Sequence, residues 1–150
     1  MPTHYSGDPA TRLALDTFIK FTRAANAFQA RLFQSPNLGD LTPSQFGVLE
    51  TLYHLGPLCQ GELSSKLLTS TGNMTLVLDN LEKRTYVQRV RDQEDRRLVR
   101  IHLTPQGEAL IREVFPRVAE AIRSDLGVLS AEEQANLGHL CKKLGKRTRD

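Results

Sequence analysis

The sequence predicts a mainly helical α+β chain, with helices at both ends enclosing a pair of short central helices and one basic β-hairpin. Three observations carry that expectation. Apolar residues recur at spacings of three and four along most of the chain, which is the helical period. Between Val87 and Leu103 the period shifts to alternation, the signature of strands. The basic residues also concentrate there: Lys83 to Arg100 holds seven basic and three acidic residues, a local balance of +4 against +3 for the whole chain. A charge run on its own commonly marks a solvated face, so its coincidence with the hairpin is what matters.

Taken in order, Asp8-Pro9 offers a capping carboxylate followed by proline at a first helical position, and Phe18, Phe21, Ala25, Phe28 and Leu32 repeat at helical spacing until Ser35-Pro36-Asn37. Thr42-Pro43-Ser44-Gln45 is a second start, with threonine as cap and glutamine three residues on. Phe46, Leu49, Leu52 and Tyr53 mark one face of that helix, which ends near Gly56-Pro57. A short helix across Glu62 to Leu68 and a further one from about Thr71 to Arg84 are joined by a few polar residues, which suggests a helix-turn-helix. Met74, Val77, Leu78 and Leu81 form the apolar side of the second helix.

The hairpin then runs from Val87 to Arg91, turns at Asp92-Gln93-Glu94-Asp95 and returns through Val99, Ile101 and Leu103. Thr104-Pro105 opens a long helix carrying Leu110, Ile111, Val114, Phe115, Val118, Ile122 and Leu126, with Pro116 inside it expected to bend or break it locally. Ser130-Ala131-Glu132-Glu133 is a capping box ahead of a last helix with Leu137, Leu140 and Leu144. The apolar stripes of the first and last helices have no evident intrachain layer to cover them, so a second copy of the chain, a homodimer, is the simplest expected partner.

At 150 residues the chain can bury a core without disulfide or metal staples. Its two cysteines, Cys59 and Cys141, are too few for a disulfide scaffold and too far apart for a short metal clip, and His139-Leu140-Cys141 lacks the further ligands a zinc site needs. No apolar run of membrane-spanning length and no signal-peptide pattern at the first residues are evident, which points to a cytoplasmic protein. No phosphate-cradling glycine loop, His-Glu-x-x-His pair or nucleophile elbow is present, so neither an enzyme nor a cofactor is expected.

Asp92-Gln93-Glu94-Asp95-Arg96-Arg97 followed by Leu103-Thr104-Pro105-Gln106-Gly107 resembles the signature of the multiple antibiotic resistance regulator (MarR) family. Leu41 to Leu49, Glu62-Leu63 and Asp79 to Lys83 add to the resemblance, which covers nearly the whole chain. It implies one domain over 1–150: a winged helix-turn-helix lobe at 42–103 with dimerisation helices at 8–35 and 105–147. The implied function is a repressor that binds palindromic operators in double-stranded DNA as a homodimer. Thr85-Tyr86 stands where the family usually has glycine after the recognition helix, Cys59 stands where threonine commonly caps the third helix, and Gly72 sits inside the first turn of the recognition helix. A glycine there suits close approach to phosphate or to another helix.

In a helix-turn-helix the start of the second helix faces base edges. Thr71, Asn73 and Thr75 are therefore the base-reading candidates. Asn73 is favoured because a carboxamide can pair with adenine, against the plainer reading of a capping or turn residue. Arg96 and Arg97 at the hairpin tip would reach the adjacent minor groove, with Arg97 the inserted one. Lys83, Arg89 and Arg91 are expected on phosphates, and the resemblance implies that Asp95 pairs with a wing arginine to hold the tip.

The resemblance further implies control by a small, often aromatic, effector between the dimerisation helices and the lobe. Phe18, Phe21, Phe28, Tyr53, His54 and Phe115 are the candidate lining, with ordinary core packing as the alternative for each. A second route is a thiol sensor: a cysteine at a helix start, Cys59, can become reactive toward oxidants and electrophiles, though a small buried residue is the commoner role. A third reading is a winged helix used only for protein contacts.

Overall fold

The structure is a computed structural model and describes residues 2–34, 36–67 and 69–146. Its first helix, α1 (Pro9–Gln34), begins as Asp8 accepts from the Thr11 amide at 3.0 Å. A single 3-10 turn at Pro36–Leu38 leads to α2 (Pro43–Leu55), where Thr42 and Gln45 form the expected capping box. The apolar side of α2 is wider than its spacing suggests, since Gln45, Val48 and Thr51 are buried along with Leu49 and Leu52. α3 (Gln60–Lys66) starts two residues earlier than expected, and Leu68, placed in it from the sequence, lies outside the described residues.

α4 (Thr71–Lys83) is capped by Ser70, whose hydroxyl accepts from the Asn73 amide at 3.2 Å. The hairpin occupies β2 (Val87–Arg91) and β3 (Val99–Leu103), with Arg89 opposite Ile101. A third strand, β1 (Leu58–Cys59), pairs antiparallel with β3 and gives the order β1-β3-β2. Two residues cannot display alternation, so no sequence pattern announces it. Long α5 (Pro105–Leu126) and α6 (Ala131–Gly145) complete the chain; α5 runs unbroken through Pro116, so the local break, one of the two outcomes expected there, does not occur. The C-terminal end of the expected dimerisation region, at Arg147, lies outside the described residues.

One core joins all but the last helix. Leu32 of α1 and Leu38 meet Leu49 and Leu52 of α2, Leu63 of α3, Met74, Leu78 and Leu81 of α4, Val87 and Ile101 of the sheet, and Ile111, Val114 and Val118 of α5. Every side chain of α6 is exposed, Leu140 and Leu144 included.

The exit from α4 fixes where the hairpin stands. Thr85 adopts φ 65°, the left-handed conformation that glycine usually supplies, and it does so despite its branched β-carbon. Its amide donates to the Glu82 carbonyl and that of Tyr86 to the Leu81 carbonyl, both at 2.9 Å, which is the Schellman closure of a helix. The same turn is gripped by the start of α5. Thr104 donates its hydroxyl to the Thr85 carbonyl and its amide to that of Tyr86, and a Cβ at Gly107 would sit 2.0 Å from the Tyr86 carbonyl oxygen. Gly107 is thus required by contact rather than by its own backbone angles.

Candidate nucleic-acid interface

The hairpin tip is organised by two aspartates. Asp92 accepts from the Glu94 amide at 2.8 Å and from Arg100 Nε at 2.6 Å, tying the turn to the returning strand. Asp95 takes both Nε and a terminal nitrogen of Arg97, at 3.0 and 3.1 Å, together with the Arg97 amide. These bonds favour the carboxylate form, so both acids are held below the usual aspartate range: Asp92 chiefly by the Arg100 bond, Asp95 chiefly by the Arg97 side chain. The Arg97 side chain is still 90% exposed, and Arg96 is exposed with no ion pair among the described residues. Arg91 donates to the Arg96 carbonyl and so braces the tip from inside the strand.

Arg89 has a different place from the one expected of it. Its guanidinium donates to Asp79 at 2.7 Å and to Glu82 at 3.0 Å, its amide also reaches Glu82, and only 25% of its side chain is exposed. Its charge is thereby engaged by α4, and it locks β2 to the recognition helix instead of standing free for phosphate.

On α4 the expected reading residues are drawn into the motif. Thr75 donates to the Thr71 carbonyl at 3.0 Å and accepts from Gln60 Nε2 at 2.6 Å, which turns its hydroxyl toward α3. Asn73 is exposed but donates from Nδ2 to the Thr69 hydroxyl at 2.7 Å, leaving one amide hydrogen and Oδ1 for an outside partner. Thr71 and Lys83 are exposed. The far end of α4 is tied down by a buried amide: Gln45 donates to Asn80 at 3.0 Å and accepts from Arg84, which also pairs with Asp40 at 2.8 Å and lies 5.0 Å from the Tyr86 ring centre. Gln60, Asp92 and Arg100 are absent from the site expected of the sequence. An aspartate at the first position of a turn could have singled out Asp92, but the Gln60 contact comes only from the fold.

Residues 41–99 match the model of the MarR family. Over 135 residues, 90% of this chain and 93% of that relative, the sequence is 31% identical to the HTH-type transcriptional regulator MhqR of Bacillus subtilis. The chain belongs to the MarR family. A 95-residue match to the HTH-type regulator YsmB of the same organism is 42% identical and covers 63% of this chain and 65% of that protein. Two solved structures extend the likeness to the fold. BpsR of Bordetella bronchiseptica, whose DNA binding is regulated by 6-hydroxynicotinic acid, superposes with a TM-score of 0.78 at 26% identity, covering 99% of this chain and all of that one. A cysteine-to-serine mutant of Escherichia coli MarR, complexed with operator DNA, gives 0.73 at 27% identity over 85% of this chain and 95% of that one. The three-stranded sheet and the α3–α4 pair are therefore a MarR winged helix, and the chain is a transcription regulator of that family.

The six residues expected to line an effector pocket in this MarR chain do not gather into one cluster. Phe18 and Phe21 are exposed on α1, at 63% and 45%, while Phe28 packs against the core. Tyr53, His54 and Phe115 form an edge-to-face series with ring centres 5.1 and 4.8 Å apart. The cleft that does lie between α1 and the lobe has a volume of about 240 Å³ and is bounded by Gln29 and Phe33 of α1, Gly47 of α2, Leu67, and Asn73 and Val77 of α4. None of the six lines it. Helical periodicity marks which residues are apolar, but it does not show which helix faces which. Cys59 is half-buried at the end of β1, opposite Arg100, with Glu62 accepting from its amide at 2.8 Å. Among the described residues there is no group of three potential metal ligands and no helix long and apolar enough to cross a membrane.

Proposed function

We propose that this protein is a cytoplasmic repressor that binds a palindromic operator as a homodimer, with α4 in the major groove and the wing tip in the adjacent minor groove. The observation that carries the reading is the wing tip. Two arginines stand exposed at the end of a hairpin whose own aspartates fix its shape, and exposed guanidinium groups on a rigid projection suit a narrow minor groove. Arg96, Arg97 and Lys83 are the contacts assigned to DNA, joined by Thr71 and Asn73 at the start of α4. Arg91, Arg89 and Thr75 position these groups rather than touching the duplex. That a mutant of E. coli MarR, whose fold this chain shares, forms a complex with operator DNA supports duplex binding by this fold.

The dimer is carried by the exposed apolar residues of α1 and α6, among them Leu13, Phe18, Phe21, Leu137, Leu140 and Leu144, which a second copy would cover. For control we favour a small molecule in the cleft between α1 and the start of α4. An occupant there would contact Asn73 directly and so act on the DNA-reading end of the helix. The competing route is oxidation of Cys59, favoured by its place on the wing sheet opposite Arg100.

Binding to a duplex taken from immediately upstream of its own gene tests the reading. Affinity should fall steeply with salt and drop sharply on reversal of charge at Arg96 and Arg97, whereas a winged helix used for protein contacts would bind no duplex. Replacing Cys59 by serine separates the two modes of control, since only the thiol route is abolished by it.

A further inference from the structure

The outermost stripe of the recognition helix is charged only in its second half. With Met74, Leu78 and Leu81 buried, a rotation of about 100° per residue puts Gly72, Leu76, Asp79 and Lys83 on the opposite side of α4. Asp79 is held by Arg89 and Lys83 closes the helix, so the N-terminal half of the stripe is Gly72 and Leu76. Leu76 is 69% exposed, the most open of the large apolar side chains among the described residues between 42 and 103. A lone exposed leucine is ordinary on a protein surface. This one lies one turn after a glycine that the chain's own packing does not require: a Cβ on Gly72 would meet nothing within 4 Å among the described residues. Glycine weakens a helix relative to alanine, and no close contact in the described fold offsets that cost at Gly72.

We propose that Gly72 and Leu76 are a direct-readout surface for thymine, an inference that rests on the DNA-binding reading above. Leucine has no donor or acceptor. In the major groove the C5-methyl of thymine is the apolar feature it can cover, whereas the donor of cytosine or the acceptors of guanine would be stripped of water with nothing in return. Gly72 lets the first turn of α4 come close enough to the duplex for a side chain of leucine length to reach that methyl. The specificity of the helix then lies in shape and apolar contact, with Thr71 and Asn73 at its edge.

The test uses the full-length protein to select duplexes from a random pool, after which each thymine of the selected site is replaced singly by deoxyuridine, which lacks only the methyl. The wild type should lose about fourfold in affinity at one thymine of each half-site, the worth of one buried methyl. Leu76→Ala should bind the thymine and deoxyuridine duplexes equally while unfolding at an unchanged temperature. Gly72→Ala should unfold at a higher temperature and yet bind the selected duplex about tenfold more weakly, a pairing of signs that a purely structural glycine would not give. A selected duplex whose thymines all respond alike in wild type and Leu76→Ala, or a Gly72→Ala variant of full affinity, overturns this inference alone. A pool from which no duplex is retained overturns the DNA-binding reading and this one with it.

Discussion

The wing and the recognition helix lie against each other, joined by Arg89 to Asp79 and Glu82, yet the fold uses their polar residues in opposite ways. At the wing tip, internal ion pairs set the shape and leave Arg96 and Arg97 pointing outward. On α4 the hydroxyl of Thr75 and one hydrogen of Asn73 are taken by Gln60 and Thr69, and the outward side of its first two turns is left to Gly72 and Leu76. The wing therefore supplies most of the charge, with Lys83 added at the end of α4, and the start of the helix supplies shape. Salt dependence should belong to the first and base preference to the second.

The largest effect should follow from reversing the charge of the tip. Arg96→Glu with Arg97→Glu is expected to weaken duplex binding by about 100-fold or more at physiological salt, read by fluorescence anisotropy, with the thermal midpoint unchanged. Next is the junction that delivers the chain from helix to wing. Gly107→Ala drives a methyl into the Tyr86 carbonyl and should cost ~3 kcal/mol of folding stability, seen in urea unfolding as a lower midpoint with unchanged slope.

Arg89→Gln separates a brace from a phosphate contact. It frees Asp79 and Glu82 beside the duplex and should weaken binding by about tenfold with little change in the salt slope; a slope reduced by about one per protomer would instead make Arg89 a phosphate ligand. Thr85→Gly removes a left-handed β-branched residue and should raise stability by about 1 kcal/mol, with DNA affinity unchanged.

The smallest effect is the response to pH. The tip carboxylates of Asp92 and Asp95 ionise more readily folded than unfolded, so their contribution is complete above the ordinary aspartate range and disappears as pH falls below it. Lowering the pH from 7 to 5 should leave the chemical shifts of the tip amides in place. Loosening confined to acid below about pH 4, where carboxylates titrate, is the expected outcome.

How far the sequence discloses the structure follows from how local each signal is. The caps of α2, α5 and α6 and the hairpin strands involve residues within a few positions of each other, or a strict period, and are legible on that account, whereas the pairing of Asp95 with a wing arginine is implied by the family resemblance. The direction of Thr75 depends on Gln60, fifteen residues earlier in another helix, and that of Arg89 on α4 across the exit turn. Strand β1 is too short to carry a period, and the cleft beside α1 depends on how three helices lie together. Position at the start of a second helix points to Thr71, Asn73 and Thr75, and burial of Met74, Leu78 and Leu81 adds Gly72 and Leu76 to the outward side of α4.

The central claim is that the exposed tip arginines provide most of the electrostatic part of DNA binding while α4 provides the sequence preference. It is tested most directly by the slope of log affinity against log salt on a selected duplex, for the wild type and for Arg96→Ala with Arg97→Ala. The slope should become shallower by about one for each arginine removed, with the order of preference among duplexes retained. An unchanged slope, or a slope that changes together with the preferred sequence, would contradict the division of labour between wing and helix.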